Sequence, residues 1–354
     1  MAIVNLIKTG DPHEDFTALE HIVDRAIELK ADILCPGDFI DGPKGRIRMP
    51  GTVDGDTHAR LMELLSEKGI NPKEYSLIPR IQQMFSTGQF EKLPKEKQQE
   101  LIKLAQGVMS QVRANVTQEE IAELKEYALS TADRAYERFA KIFGKAKEAG
   151  LDVMTLGGNH DWIKRMREKM AGVVRFGDVE SLVTSHNRIK YAMTHDTKET
   201  PGWFAYDPVL SDLLIGECVD FKLGHDIPTE DPSYVAERKR LGNSMEEADI
   251  IMYHKAIGDP RDELGGGSFA RDTKPEGKPI VGGHLHRTYI GTDNDGNPLI
   301  AVGRSDRYIR SQFDTGTKRY VGNIEIWQVP SRYNTNTEAE IVPVKPKEKV
   351  KSAA

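Results

Sequence analysis

Residues 151–172 read LDVMTLGGNHDWIKRMREKMAG, and the fold turns on how this stretch divides. "LDVMTL" is an apolar run of strand length, and "WIKRMREKMAG" opens a helical pattern. Between them, Gly157-Gly158-Asn159-His160-Asp161 puts an amide, an imidazole and a carboxylate where the strand leaves the core. In a mainly parallel α/β sheet, ligands bind outside the carboxyl ends of the strands. The meaning of the stretch therefore depends on what stands at the other strand ends.

Working outward, residues 3–38 read as strand, helix, strand. "IVNLIKTGD" is apolar and ends in a polar turn. "DFTALEHIVDRAIELK" carries Leu19, Ile22, Val23, Ala26 and Ile27 at helical spacing, and "ADILCPGD" is a second short apolar run. Such a unit implies a largely parallel sheet. From 41 to 150 the composition shifts to Lys, Glu, Gln and Ala. Thr117 and Glu120 form a capping box that opens a long helix to about Glu148, with shorter helical pieces at 58–67 and 95–113.

After Trp162, "VVRFGDVESLV" and "RIKYAMTHD" read as strands, and "PSYVAERKRL" (232–241) as a helix. "EEADIIMYHK" and "GKPIVGGHLH" are short apolar runs carrying histidine at their ends. "TYIGTDNDGNPLIAVG" is a hairpin, and "VGNIEIWQV" a closing strand. The expected organisation is a discontinuous α/β core (1–40 and 151–330), a helical insertion or lid (41–150) and a disordered tail (331–354).

With 38% apolar and 29% charged residues the chain reads as globular, and its net charge of −6 gives no global attraction to nucleic acid. A local basic strip at 307–320 remains open. No apolar run is long enough for a membrane span, and the N-terminus reads as a first strand rather than a leader. Cys35 and Cys218 read as buried small hydrophobes, which points to a reducing, cytoplasmic setting.

The strand-end residues are Asp11 and His13 (GDPHED), Asp38 (PGDFIDG), Asn159 and His160 (GGNHD), His254 (IIMYHK), and His284 and His286 (GGHLHR). Carboxylate, imidazole and amide oxygen form a mixed donor set that suits Mn²⁺, Fe or Zn²⁺. There are more of them than one four-coordinate ion uses, which suits two ions sharing a carboxylate. Residues at alternate positions, as in Asp11-x-His13 and His284-x-His286, project to the same side of extended backbone. His195 and His225 also follow apolar runs and compete with His254 for its place.

The ordered series D-x-H, G-D, G-N-H-D, a lone His after an apolar strand, and G-H-x-H resembles the calcineurin-like metallophosphoesterases. The likeness covers the core segments from Ile3 to about Val329 and leaves out 41–150. It implies a fold of two mixed sheets flanked by helices. It implies that Asp11, His13 and His286 hold one divalent ion, that Asn159, His254 and His284 hold another, and that Asp38 bridges them. Manganese is the first expectation, with iron and zinc as alternatives. A hydroxide between the ions would attack phosphorus, His160 would protonate the leaving oxygen or bind the phosphate, and Asp161 would orient the His160 ring.

The implied activity is hydrolysis of P–O bonds, with a phosphodiesterase of nuclease type as the leading reading. A phosphomonoesterase or nucleotide hydrolase is the alternative within the class, and a non-catalytic scaffold the alternative outside it. The run "LIAVGRSDRYIRSQFDTGTKRYVGNIEIWQV" is similar to the SbcD-type repair exonucleases, although Val-Gly-Arg-Ser stands where that branch has Pro-Gly-Ser. DNA is thus a candidate substrate, and a homodimer or an ATPase partner is left open. "DNDGN" (293–297) mimics the start of a calcium loop, but Arg304 stands where its closing glutamate belongs. "KRMREKM" (164–170) reads as a solvated helix face that could also touch phosphate.

Overall fold

The computed structural model describes residues 2–40, 50–86, 88–158, 160–176, 182–186, 189–194, 209, 245–255, 277–283, 288–292, 297–303, 305–332 and 339–343. Strands β1 (Ile3–Thr9) and β2 (Ala31–Cys35) enclose helix α1 (Phe16–Leu29). Helix α1 starts where the Asp15 carboxylate accepts the Ala18 N–H, and it ends at Lys30 in the left-handed region. Its Leu19, Ile22, Val23 and Ala26 are buried, as their spacing predicts.

Between β2 and β3 (Val153–Thr155) come α2 (Val53–Glu67), α3 (Pro72–Tyr75), α4 (Leu77–Ser86), α5 (Lys95–Asn115) and α6 (Gln118–Glu148). The capping box is present: the Thr117 hydroxyl accepts from Glu120 N, and the Glu120 carboxylate accepts from Thr117 N. Helix α6 lies in the main hydrophobic cluster with α1 and β2, through Tyr136, Phe139 and Phe143. Helix α7 (Ile163–Met170) and β4 (Arg175–Phe176) follow β3.

The remaining strands are β5 (Leu182–His186), β6 (Ile189–Thr194), β7 (Ile250–Lys255), β8 (Ile280–Gly283), β9 (Tyr289–Thr292), β10 (Pro298–Ala301), β11 (Arg307–Asp314), β12 (Arg319–Gln328) and β13 (Ala339–Pro343). They complete two mixed sheets, ordered β13-β12-β11-β1-β2-β3-β4 and β5-β6-β7-β8-β10-β9. Strands β1 to β4 run parallel, as do β6, β7, β8 and β10.

Strand alternation explains how the layers meet. Leu6, Leu34 and Met154 of the first sheet join Tyr191, Met193, Ile250, Met252 and Val281 of the second in one cluster. Their neighbours Ile7, Ile33, Cys35 and Val153 turn the other way, toward the helices. Cys35 is a buried free thiol, and burial pushes its pKa up to about 12, which suits a packing role. Among the described residues, no helix is long and apolar enough to cross a membrane.

Two sequence expectations change. The single strand expected at 173–183 is two: β4 closes one sheet and β5 edges the other. The run carries Gly177-Asp178, a turn signal set against its apolar content. In the tail expected to be disordered, β13 pairs antiparallel with β12 from Ala339 opposite Trp327 to Pro343 opposite Asn323. Its "AEIVP" is short and β-branched enough to add to an open sheet edge, whatever the polarity of the residues around it. The helix expected at 232–241 lies outside the described residues.

Candidate metal centre

The ends of β1, β2, β3 and β7 converge. Asp11, His13 and Asp38 are buried and each offers a ligand atom, all within 4.8 Å of one another. The Asp38 carboxylate is the hub: its Oδ2 lies 3.3 Å from His254 Nε2, 3.8 Å from His13 Nε2 and 3.9 Å from His160 Nε2. The His13 and His160 rings meet edge-on with centroids 5.2 Å apart. His254 Nδ1 lies 2.8 Å from the Pro36 carbonyl, which assigns it as the donor and turns Nε2 toward Asp38.

Backbone conformation sets these side chains. His13, Glu14 and Asp38 adopt φ of 41°, 60° and 54°, a left-handed region that non-glycine residues seldom occupy. Three hydrogen bonds hold them there: His13 N to Asp38 O at 2.9 Å, Glu14 N to Phe39 O at 2.7 Å, and His160 N to Asp38 Oδ1 at 2.9 Å. Two glycines allow the close approach. A Cβ on Gly158 would lie 2.1 Å from Asp38 Oδ1, and one on Gly283 would lie 2.2 Å from Asp11 Oδ1. The end of β8 thereby abuts the first carboxylate.

The charges are mutually supporting. Burial alone would raise the Asp38 pKa, but the imidazoles of His254, His160 and His13 outweigh it and hold the carboxyl well below its ordinary range. Burial pulls His254 down, and the carboxylates of Asp38 and Asp11 reverse this to about 9. A carboxylate that holds a proton on His254 also suits a bound cation. Buried carboxylates, inward-turned imidazoles and glycine cradles that bring backbone against both acids fit a divalent ion of the borderline class.

Asp161, expected from the sequence to orient the His160 ring, is bonded to backbone and to a phenol. Its Oδ1 accepts from Phe39 N (2.9 Å), Ile40 N (3.3 Å) and the Tyr136 hydroxyl (3.2 Å), while Oδ2 accepts from Gly158 N (2.8 Å). The carboxylate thus pins the Asp38 loop to the 157–161 turn. Burial, with the nearby charge of Asp38, pushes its pKa up to about 7.

Asn159, His284 and His286 lie outside the described residues, as do the competitors His195 and His225. Residues 307–320 lie on β11 and the start of β12, where Arg310 pairs with Glu325 at 3.2 Å. In "KRMREKM", Arg165 and Lys169 bind Asp133 and Glu137 of α6 at 2.9 and 2.6 Å, so those two cations are engaged within the fold.

Sequence reasoning missed the groups that hold the turn carrying Asp11 and His13. The Glu14 carboxylate accepts from Val53 N at 3.0 Å, tying the turn to the start of α2. Asp15 accepts from Ser305 Oγ (3.1 Å) and Arg332 N (3.2 Å), and the Arg332 guanidinium donates to the His13 carbonyl. Glu14 and Asp15 were visible as part of "GDPHED", but nothing local signals partners so distant in the chain.

No protein-family model matches the sequence, and no curated protein matches it. Solved structures that align with this chain include a Thermus thermophilus protein at 13% identity and TM-score 0.41, with 90% of this chain and 98% of the other covered. A Staphylococcus aureus protein provisionally assigned as a 5'-nucleotidase aligns at 10% identity and TM-score 0.40, covering 98% of this chain but 55% of the longer one. A Streptococcus pneumoniae protein, predicted to be a phosphoesterase, aligns at 12% identity and TM-score 0.26, with 97% and 99% covered. At such TM-scores the chemistry of the centre rests on its own side chains.

Proposed function

We propose that the chain is a metal-dependent phosphoesterase, and specifically a phosphodiesterase of nuclease type on a calcineurin-like fold. The observation that supports it is the convergence of Asp11, His13, His160 and His254 on the buried carboxylate of Asp38. The proposed ligands of two divalent ions are Asp11, His13, Asp38, Asn159, His254, His284 and His286, with manganese the first to test. Such ions would lower the pKa of a water molecule and neutralise charge growing on phosphoryl oxygens.

The chain's own residues supply the rest. Asp38 keeps a negative charge among three imidazoles, where a shared ligand is needed. His160 is buried, and its backbone N–H is fixed on Asp38 Oδ1, so its ring has little freedom and stands beside the centre as the group to protonate a leaving oxygen. Helix α6 backs the centre, and we assign the 41–150 segment as the wall and lid beside the substrate. The nuclease subtype rests on the likeness of the β10–β12 run to repair exonucleases.

The test is Mn²⁺-dependent hydrolysis by the purified full chain of a diester, a monoester, single-stranded DNA and duplex DNA, compared side by side. Diester cleavage that chelation and Asp38→Ala both remove is expected. A preference for the monoester would move the protein to the phosphomonoesterases, and no Mn²⁺-dependent turnover on any substrate would overturn the reading.

A further inference from the structure

We infer that Tyr136, in the middle of α6, is a positioning residue that presets the distance between the two loops carrying Asp38 and His160; this rests on the metal-centre reading above. Tyr136 is fully buried. Its hydroxyl accepts the Trp162 N–H at 2.8 Å and donates to Asp161 Oδ1 at 3.2 Å. Trp162 is the N-cap of α7, and the phenol oxygen takes up its backbone N–H at the helix start.

The remaining donors to Asp161 are backbone N–H groups, from Phe39 and Ile40 on one loop and Gly158 on the other. The carboxylate therefore acts as a staple, and Tyr136 anchors that staple to a long, rigid helix. Between the same loops there is no slack: a Cβ on Gly158 would sit 2.1 Å from Asp38 Oδ1, and His160 N holds that oxygen at 2.9 Å. Any relaxation of Asp161 reaches Asp38 through these contacts. The helical block that reads in sequence as an insertion thus contributes a polar group to the support of the centre.

Tyr136→Phe keeps the ring in the core and removes only the hydroxyl. It leaves the buried Trp162 N–H without this acceptor and takes one donor from Asp161. Direct partners of metal ligands typically change metal affinity by about 10- to 100-fold. Tyr136 acts one bond further out, which sets the expectation at the low end, about 10-fold. Calorimetric titration of Mn²⁺ into the full chain should show a loss of that order in Tyr136→Phe. Leu129→Ala, which truncates a buried side chain on the same helix, should melt earlier yet bind Mn²⁺ like the parent.

Equal affinity in Tyr136→Phe and a parent that binds and hydrolyses would overturn this inference and leave the phosphoesterase reading standing. An equal loss of affinity in Leu129→Ala would reduce Tyr136 to a stability residue and overturn it too. A parent that binds no Mn²⁺ would overturn both readings. Should Tyr136→Phe not fold, amide exchange on the parent decides. Protection at Phe39, Ile40 and Trp162 matching that of β2 is expected, and fast exchange at these amides would overturn the inference.

Discussion

The strand-end centre and the space between the sheets both bury ionisable groups, and they solve the problem in opposite ways. At the strand ends, Asp38 is hidden among His13, His160 and His254, and opposite charges keep it ionised. Between the sheets, Lys8 on β1 is fully buried, donates to Ser311 Oγ and lies over the Tyr320 ring at 4.3 Å. Among the described residues no carboxylate compensates it there, and burial lowers its pKa to about 7. A buried group keeps its charge when counter-charges are assembled around it, and otherwise tends to lose the charge. The first arrangement is costly to build and suits a site that must hold cations; the second suits packing alone.

The comparison predicts where mutations act. Removing the hub of the compensated region has the largest effect. Asp38→Ala should abolish detectable Mn²⁺-dependent turnover and lower the metal content measured by elemental analysis. His160→Ala comes next: it should retain the metal but lose about 10²- to 10⁴-fold in turnover, the usual contribution of a positioned acid or base. Parent-like turnover in His160→Ala would remove it from the role of acid.

Lys8→Met tests the uncompensated region. The folded pKa of about 7 lies below the ordinary 10.5, so between those values the unfolded chain binds more protons and stability rises with pH. Below about 7 the lysine must be buried charged, and its cost is there in full. The variant should therefore be more stable than the parent, by on the order of a few kcal/mol below neutrality, with the gap narrowing toward pH 10. Urea unfolding across this range measures it. A constant gap would mean that Lys8 is charged in the fold and that the two regions do not differ in this way.

Much of the architecture was legible because it rests on local signals. The capping box marks the start of α6, periodicity marks α1, short apolar runs mark β7 and β8, and turn chemistry marks the β9–β10 hairpin. The polar ends of apolar runs point to Asp11, His13, Asp38, His160 and His254, which the fold brings together. What stayed hidden depends on long-range pairing. Asp161 reads as a partner for its neighbour His160, yet it bonds to backbone on a loop more than a hundred positions earlier in the chain. Tyr136 falls within an apolar helical stripe, and periodicity says nothing of its hydroxyl. Strand β13 depends on the open edge of β12, which no local pattern reveals.

The smallest predicted effect separates two uses of one helix. Thr117 caps α6 at an exposed end, while Tyr136 bonds Asp161, beside the centre, from its buried middle. Thr117→Ala removes the acceptor for Glu120 N and should cost about 1 kcal/mol, the usual value for an N-cap of this kind. The first turn can fray without moving residues further along, because helical hydrogen bonds are local and α6 is held by its packed face. Melting should therefore shift down by a few degrees while Mn²⁺ affinity stays at the parent value. A loss of affinity matching that of Tyr136→Phe would make the support of the centre a property of the whole helix rather than of one hydroxyl.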